Sequence, residues 1–507
     1  MTLSATEQKH LYGEPGTDSN PLHAWRSLPG EKPRRIWSSG SLYVDVLPSA
    51  DLGNSSFVVV DRGQGAAAII DATRDIGRYL ELVERLGLSL KWVLDTHLHA
   101  DFVSGGRGLA ALSGAKLGLC AEAETTVRHQ PLHDQEEIDL GSAVIKVIKS
   151  PGHTPEHISF LLREETGRSR VLFSGGSLMA GTAGRPDLLG PQYTYQLVQE
   201  EFATLHERYA GLPPELVVLP THVGGSFCGV GSRSAPRTSL GLERQTNPLL
   251  LTQDRNAFLA AYLSGNPFPK YYRNTRLINQ RGTRPIGREI PDLVGLSPEE
   301  VEELGRRPGT TILDIREPRA FESGHIPKSL SVPVGGQFSA WVGWLRNAEE
   351  EIVIVDDDPE ARHTAQVALL RTGFDRLEGY LQGGIEAYAR AGFTLSSTTR
   401  RSMRSVRRAV EKGEALTLLD VRNPDEAALE RLPGAVNIPL PDLAELAPSR
   451  LDRRLPLYVH CQSGWRAGIA ASVLEQLGFP QVLHVVDGPE AWKSAMASAR
   501  SDIRTKQ

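Results

Sequence analysis

DTHLHADF, residues 95–102, follows directly on the apolar run KWVL. A strand ending here places His97 and His99 on one side of the chain, with Asp101 in reach of the same point. Imidazole nitrogen and carboxylate oxygen are what proteins offer a zinc or iron ion. Phe102 comes next and has nothing to donate. The stretch therefore reads as a working metal site, a reduced one, or a pocket that has lost its metal.

Around it, short strand-like runs alternate with a few helices. SLYVDVLP, SSFVVVDR and AAAIID precede it, and AVIKVIKS, HISFLLRE, RVLFSG and ELVVLPT follow, separated by Gly and Asn. RDIGRYLELVERLGL carries apolar residues at helical spacing. Two sheets covered by helices are expected over residues 39–290. Residues 1–38 are polar and rich in Gly and Pro, and read as a loosely ordered lead-in.

The last part of the chain is an internal repeat. TTILDIREPRAFESGHIPKSLSVPV (310–334) is echoed by LTLLDVRNPDEAALERLPGAVNIPL (416–440), with Asp314 and Asp420, and Pro333 and Pro439, 106 positions apart. Arg362 and Arg466, and Gly384 and Gly488, stand 104 apart. Each copy runs strand, loop, helix twice over, which predicts two small α/β domains with parallel sheets, over 296–396 and 400–500.

In the second copy LPLYVH is an apolar strand with Cys461 at its carboxyl end. CQSGWR then leads into a helix. Sites in open α/β sheets lie at strand carboxyl ends. A thiol there meets the free N–H groups of a helix start and the charge of Arg466, and both favour an anion, whether thiolate, persulfide or sulfur oxyanion. Gly464 lets the loop curl without a Cβ clash. An inert cysteine at a strand end is the bland alternative. In the first copy the same position, counted back 104 residues, is Asp357 in VDDDPEAR. A carboxylate cannot carry sulfane sulfur, so that copy is expected to be a scaffold or docking element.

Bulk composition excludes other classes. A chain of 507 residues is too long for one core. A net charge of −5 with both signs interspersed gives no nucleic-acid or membrane surface. Three distant cysteines make no disulfide framework, so the cytoplasm is the expected compartment. A homo-oligomer is left open.

Through D-[IV]-R, the SGHIP and NIP segments and the cysteine loop before a helix, both copies resemble rhodanese domains, the sulfurtransferase family. The resemblance implies a persulfide formed on Cys461 and passed to a thiophilic acceptor, with no cofactor. It also makes Asp420 and Arg422 braces of the fold. CQSGWR has four residues between Cys461 and Arg466, the sulfurtransferase loop length. The N-terminal part resembles the metallo-β-lactamase fold, and within it the persulfide dioxygenases fused to rhodanese domains. The carrying segments are THLHADFVSG, SPGHTPEHIS, LFSGGSLMAGTAGRPDLLG and LPTHVGGSFCG. The implied architecture is an αββα sandwich followed by two parallel-sheet α/β domains.

That second resemblance implies metal ligands at His97, His99, Asp101, His153 and His222. In the dioxygenases, iron is held by the residues matching His97 and His153 plus an aspartate, and here that aspartate is Gly176. The trio His97, His99 and His153 would favour one zinc, and restoring the carboxylate as Gly176→Asp would raise iron content. Arg185 and Asp187 match a segment that shapes the thiol-substrate pocket, and Cys228 either relays sulfur or is an ordinary loop cysteine. Cys120 reads as core. His129, His133, His157, His325 and His363 read as surface or structural. The expected partners are a small-molecule persulfide, thiosulfate or a low-molecular-weight thiol. Three functions follow: a sulfurtransferase at Cys461 with a persulfide dioxygenase-like partner domain; a zinc-dependent thioester or lactone hydrolase of the glyoxalase II type; or a metal-free persulfide-binding module feeding the rhodanese domain.

Overall fold

A computed structural model describes residue 28 and residues 31–229, 235–262 and 268–493. Most of the expected lead-in and the end of the second repeat, 494–500, lie outside the described residues. The chain divides into two compact units. One comprises Met1–Pro291 with Val367–Gly373, the other Asp292–Gln366 with Phe374–Gln507.

In the first unit, residue alternation builds two facing sheets. Strands Leu42–Ser49 and Asn54–Asp61 turn Val44, Val46, Phe57 and Val59 to one side and Tyr43, Leu47, Val58 and Val60 to the other. Period-2 patterning that is apolar on both faces is what a sheet buried between two layers requires. The first set meets Ile145, Val147, Phe160, Val171 and Phe173 of a second sheet in one core. The other set packs under the helix Gly77–Arg85 through Tyr79, Leu80 and Val83. The second sheet turns Leu161, Leu172 and Val218 outward against Val198 and Phe202 of the helix Pro191–Ala203. The layers run helix, sheet, sheet, helix, as the sequence led us to expect. The seven-stranded sheet begins with Arg34–Ser39, paired antiparallel to Leu42–Ser49, so the lead-in gives way to structure before residue 39.

In the second unit both repeat copies carry a five-stranded sheet with all pairings parallel and the same order. The first runs Gly295–Leu296, Leu377–Leu381, Glu351–Val355, Thr310–Asp314, Leu330–Ser331. The second runs Thr399–Arg401, Val482–Val485, Leu457–His460, Thr417–Asp420, Val436–Asn437. The repeat legible in sequence is thus a repeat in topology. Asp314 and Asp420 end equivalent strands, and each takes a buried arginine two residues on: Arg316 Nη2 donates to Asp314 at 2.6 Å and Arg422 Nη2 to Asp420 at 2.7 Å. Among the described residues, no helix is long and apolar enough to cross a membrane.

Candidate metal and thiol sites

The strand Ser89–Leu94 ends at the 95–102 segment, Ala143–Lys149 leads to His153, and Val217–Pro220 leads to His222. The three turns bring buried histidines together. Ring centroids of His97 lie 4.1 Å from His99, 4.9 Å from His153 and 5.3 Å from His222. Ligand atoms of His97, His153 and His222 all fall within 4.8 Å of one another, and so do those of His99, Asp101 and His222. The trio His97, His99 and His153 expected from sequence is not the converging one, because His99 Nε2 is turned to Asp71 Oδ1 at 3.1 Å while Phe102 stacks on its ring at 4.1 Å.

Each converging ring is aimed from behind. His153 Nδ1 donates to the Arg185 carbonyl at 2.8 Å, which leaves Nε2 bare for a ligand. His97 Nδ1 meets Thr96 Oγ1 at 2.9 Å. Asn54 joins two ligand candidates, with Nδ2 donating to Asp101 Oδ2 at 2.7 Å and Oδ1 facing His222 Nδ1 at 3.0 Å. Burial, then the neighbouring rings, push His97 and His153 well below the ordinary histidine range, so both are neutral and able to ligate. Burial raises Asp101, but His222 and Asn54 outweigh it and hold the carboxyl below its ordinary value. Asp101 Oδ1 and His99 Nδ1 are buried without a hydrogen-bond partner. A buried carboxylate oxygen and a ring nitrogen left open, beside His97 and His222 Nε2 atoms that face each other at 3.4 Å, fit a bound cation.

Gly176, the position that the resemblance matches to the dioxygenases' aspartate, leaves no space for a side chain beside the His153 ring. A Cβ there would fall 2.3 Å from Cδ2 and 2.8 Å from Nε2. Of the two places expected for His157, surface or structural, the structure gives the second: it is buried beside the cluster and stacked on His97 at 5.0 Å. It accepts the Gly176 N–H on Nε2 at 3.0 Å and meets Ser150 Oγ at 2.8 Å. Its signal was present: His153 and His157 lie four apart in one loop. Asp71, Asn54 and Glu201 carried no such pattern. Glu201 is buried beside Gly152, and burial raises its carboxyl well above the ordinary range.

Arg185 grips Asp187 through two bonds of 2.6 Å, and its guanidinium lies 4.9 Å over the Phe268 ring. Its backbone N–H donates to the Cys228 carbonyl at 2.8 Å, so one residue ties His153 to the Cys228 loop. Burial, then Asp101, push the Cys228 thiol well above its ordinary value. Cys120 is buried and donates to Glu122.

In the second unit Cys461 follows the strand Leu457–His460 and is buried, and the helix Trp465–Gln476 starts four residues later. Gly464 has φ +86° and a Cβ on it would lie 2.6 Å from the Val486 carbonyl, so backbone conformation and space both demand glycine. Gly488 approaches the Gln462 carbonyl as closely, at 2.0 Å for a Cβ. Arg466 is engaged, with each terminal nitrogen donating to Glu426 at 2.7 Å. In the first copy Asp357 is exposed, and its neighbour Asp356 pairs with Arg362 at 3.1 Å.

The chain matches the rhodanese-like domain at 297–391 and 402–495, and the metallo-beta-lactamase superfamily at 50–222. It is 31% identical to a hydroxyacylglutathione hydrolase of Cereibacter sphaeroides over 33% of this chain and 62% of the relative. It is 26% identical to the mitochondrial persulfide dioxygenase of Bos taurus over 33% of this chain and 63% of the relative. The chain therefore spans less than two thirds of these relatives' lengths. A solved metallo-beta-lactamase from Staphylococcus aureus subsp. aureus COL superposes with a TM-score of 0.60 and 26% identity, covering 68% of this chain and 99% of that one.

Proposed function

Because the chain is a metallo-β-lactamase domain followed by two rhodanese-like domains, we propose that it is a sulfur-metabolising enzyme whose sulfur carrier is Cys461. The domains run 39–290, 296–396 and 400–500, and the middle one is catalytically silent. One observation carries the reading: a buried cysteine at a parallel strand's carboxyl end, on a glycine-pinned loop that opens a twelve-residue helix.

The chemistry is a two-step exchange. The Cys461 thiolate attacks the outer sulfur of thiosulfate or of a persulfide. A sulfur–sulfur bond forms on Cys461, the donor's sulfur–sulfur bond breaks, and sulfite or the donor thiolate departs with the electron pair. An acceptor thiolate or cyanide then attacks the terminal sulfur and releases the Cys461 thiolate. Loop N–H groups at the helix start hold the anionic sulfur, and Arg466 draws an anionic donor.

In the N-terminal domain, His97, His153 and His222 would hold a metal, with Asp101 beside them and His99 turned toward Asp71. A three-imidazole set favours zinc, whose Lewis acidity would polarise a thioester or persulfide group. Iron is the alternative, through the two-histidine, one-carboxylate set His99, Asp101 and His222. The convergence of His97, His153 and His222 and the likeness to a hydroxyacylglutathione hydrolase support the hydrolase reading of this domain as the second function. By the resemblance Arg185 and Asp187 would shape a thiol pocket next to it, and Cys228 is tied to Arg185 through its backbone carbonyl.

Cys461→Ser should abolish transfer from thiosulfate or a persulfide to cyanide while leaving the circular-dichroism spectrum unchanged. Intact-mass measurement after donor treatment should find one added sulfur atom, mapped by peptide analysis to Cys461. An adduct confined to Cys228 or Cys120, or transfer surviving in the serine variant, overturns the assignment.

A further inference from the structure

The silent first repeat reaches into the cysteine loop of the second. Glu322, buried on the helix Pro318–Ser323, meets His484 Nδ1 of the second copy, and His484 Nε2 lies 2.7 Å from the Gly464 carbonyl. That carbonyl is the first acceptor of the helix after Cys461, and Gly468 N–H also donates to it at 3.0 Å. His484 thus bridges the Glu322 carboxylate and the Gly464 carbonyl, one ring nitrogen on each. The second oxygen of Glu322 is held by Arg400 Nη1 at 2.7 Å.

We propose that Glu322 of the first copy acts through His484 as a positioning residue for the Cys461 loop. The inference rests on the sulfur-transfer reading of Cys461. Fixing the Gly464 carbonyl fixes the plane of the Gly464–Trp465 peptide, and in a trans peptide the Trp465 N–H then points to the opposite side. That N–H belongs to the helix start, where an anion on Cys461 needs its donors. A second contact runs the same way: Trp341 of the first copy packs against Trp465, ring centroids 6.0 Å apart. The helix Trp465–Gln476 is held further along by Ser331 N–H to Ser472 Oγ at 3.0 Å and by His325 to Glu475 at 2.8 Å. A domain without a sulfur-carrying residue thereby keeps a reason to be attached. It supplies one buried carboxylate that orients the working loop from outside.

The test uses the full chain with three variants. Glu322→Ala removes the acceptor. Glu322→Gln keeps an amide oxygen that can receive His484 Nδ1–H. Arg400→Met breaks the ion pair but leaves the His484 leg intact. The expected result is a fall in kcat of roughly ten- to a hundredfold for Glu322→Ala with donor KM within a few-fold, less than the roughly hundred- to thousandfold of deleting a preorganised donor, because here the donor is only mis-aimed. Glu322→Gln should recover to within a few-fold of wild type, and Arg400→Met should be near wild type. Amide hydrogen exchange of residues 461–468 should rise in Glu322→Ala alone. Equal losses in Glu322→Ala and Arg400→Met, or no rescue by Gln, would make Glu322 merely structural and overturn the proposal. Wild-type kcat in Glu322→Ala would overturn it too. If the wild type transfers no sulfur, the transfer reading falls, and the exchange measurement alone still decides whether Glu322 orders the loop.

Discussion

Gly176 and His153 are in direct contact, backbone against ring, with no room for a side chain between them: a Cβ on Gly176 would stand 2.3 Å from His153 Cδ2. The packing of this site therefore demands glycine at position 176. Gly176→Asp, which sequence comparison recommends as a way to raise iron content, should instead displace a ligand ring. Overpacking of this kind costs about 1–3 kcal/mol. The expected outcome is lower metal content than wild type by elemental analysis and a lower Tm. Stoichiometric iron in the aspartate variant would mean that His153 can retreat without loss.

Asn54 holds Asp101 and His222 at once, so it sets the distance between two ligand candidates. Outer partners of metal ligands are worth roughly ten- to a hundredfold in affinity. Asn54→Ala should weaken zinc binding by that factor, measured by competition with a chromophoric chelator. The Cys461 transfer rate should not change. An unchanged zinc affinity would remove His222 from the ligand set.

Glu475 supplies a pH signature in the second unit. Burial raises its carboxyl, but His325, the Lys328 N–H and Ser396 outweigh burial and lower it from an ordinary 4.5. A carboxyl depressed on folding adds stability that is fully present above its unfolded value and is lost as pH falls through the folded one. The Tm difference between wild type and Glu475→Gln should thus be largest near neutral pH and shrink once pH drops below the ordinary glutamate range. A difference that grows on acidification would reverse the sign of the coupling.

The layers and the repeat were legible because they rest on periodicity. Val44 and Val46 against Tyr43 and Leu47 announce a two-faced strand, and the offset from Asp314 to Asp420 announces a duplicated sheet. The ligand histidines were legible as residues, yet not as a set. Which ring converges depends on Asp71, more than twenty positions upstream, which holds φ +54° and takes His99 away from the trio. His157 is legible as a structural residue, but that its Nε2 accepts the Gly176 N–H is set by packing and leaves no pattern in sequence. Glu322 and His484 are 162 positions apart, each unremarkable in its own segment, and only the packing of one copy on the other joins them. Long-range polar contacts of this kind leave no local pattern in sequence.

Arg466 offers the last and sharpest prediction, since its charge is shared. Both terminal nitrogens are on Glu426, 2.7 Å each, and Glu426 is lowered first by that hydrogen bond. The guanidinium that should greet an anionic donor is therefore half answered before the donor arrives. Arg466→Ala should raise the thiosulfate KM severalfold and leave slow transfer, because the backbone donors of the loop remain. Glu426→Gln keeps a hydrogen-bond acceptor but removes the competing charge, so the thiosulfate KM should fall while kcat stays within a few-fold. A low-molecular-weight persulfide, which carries one negative charge where thiosulfate carries two, should show both changes on a smaller scale. If Glu426→Gln raises KM as Arg466→Ala does, Glu426 serves to hold the arginine in place and the donor anion binds elsewhere on the loop.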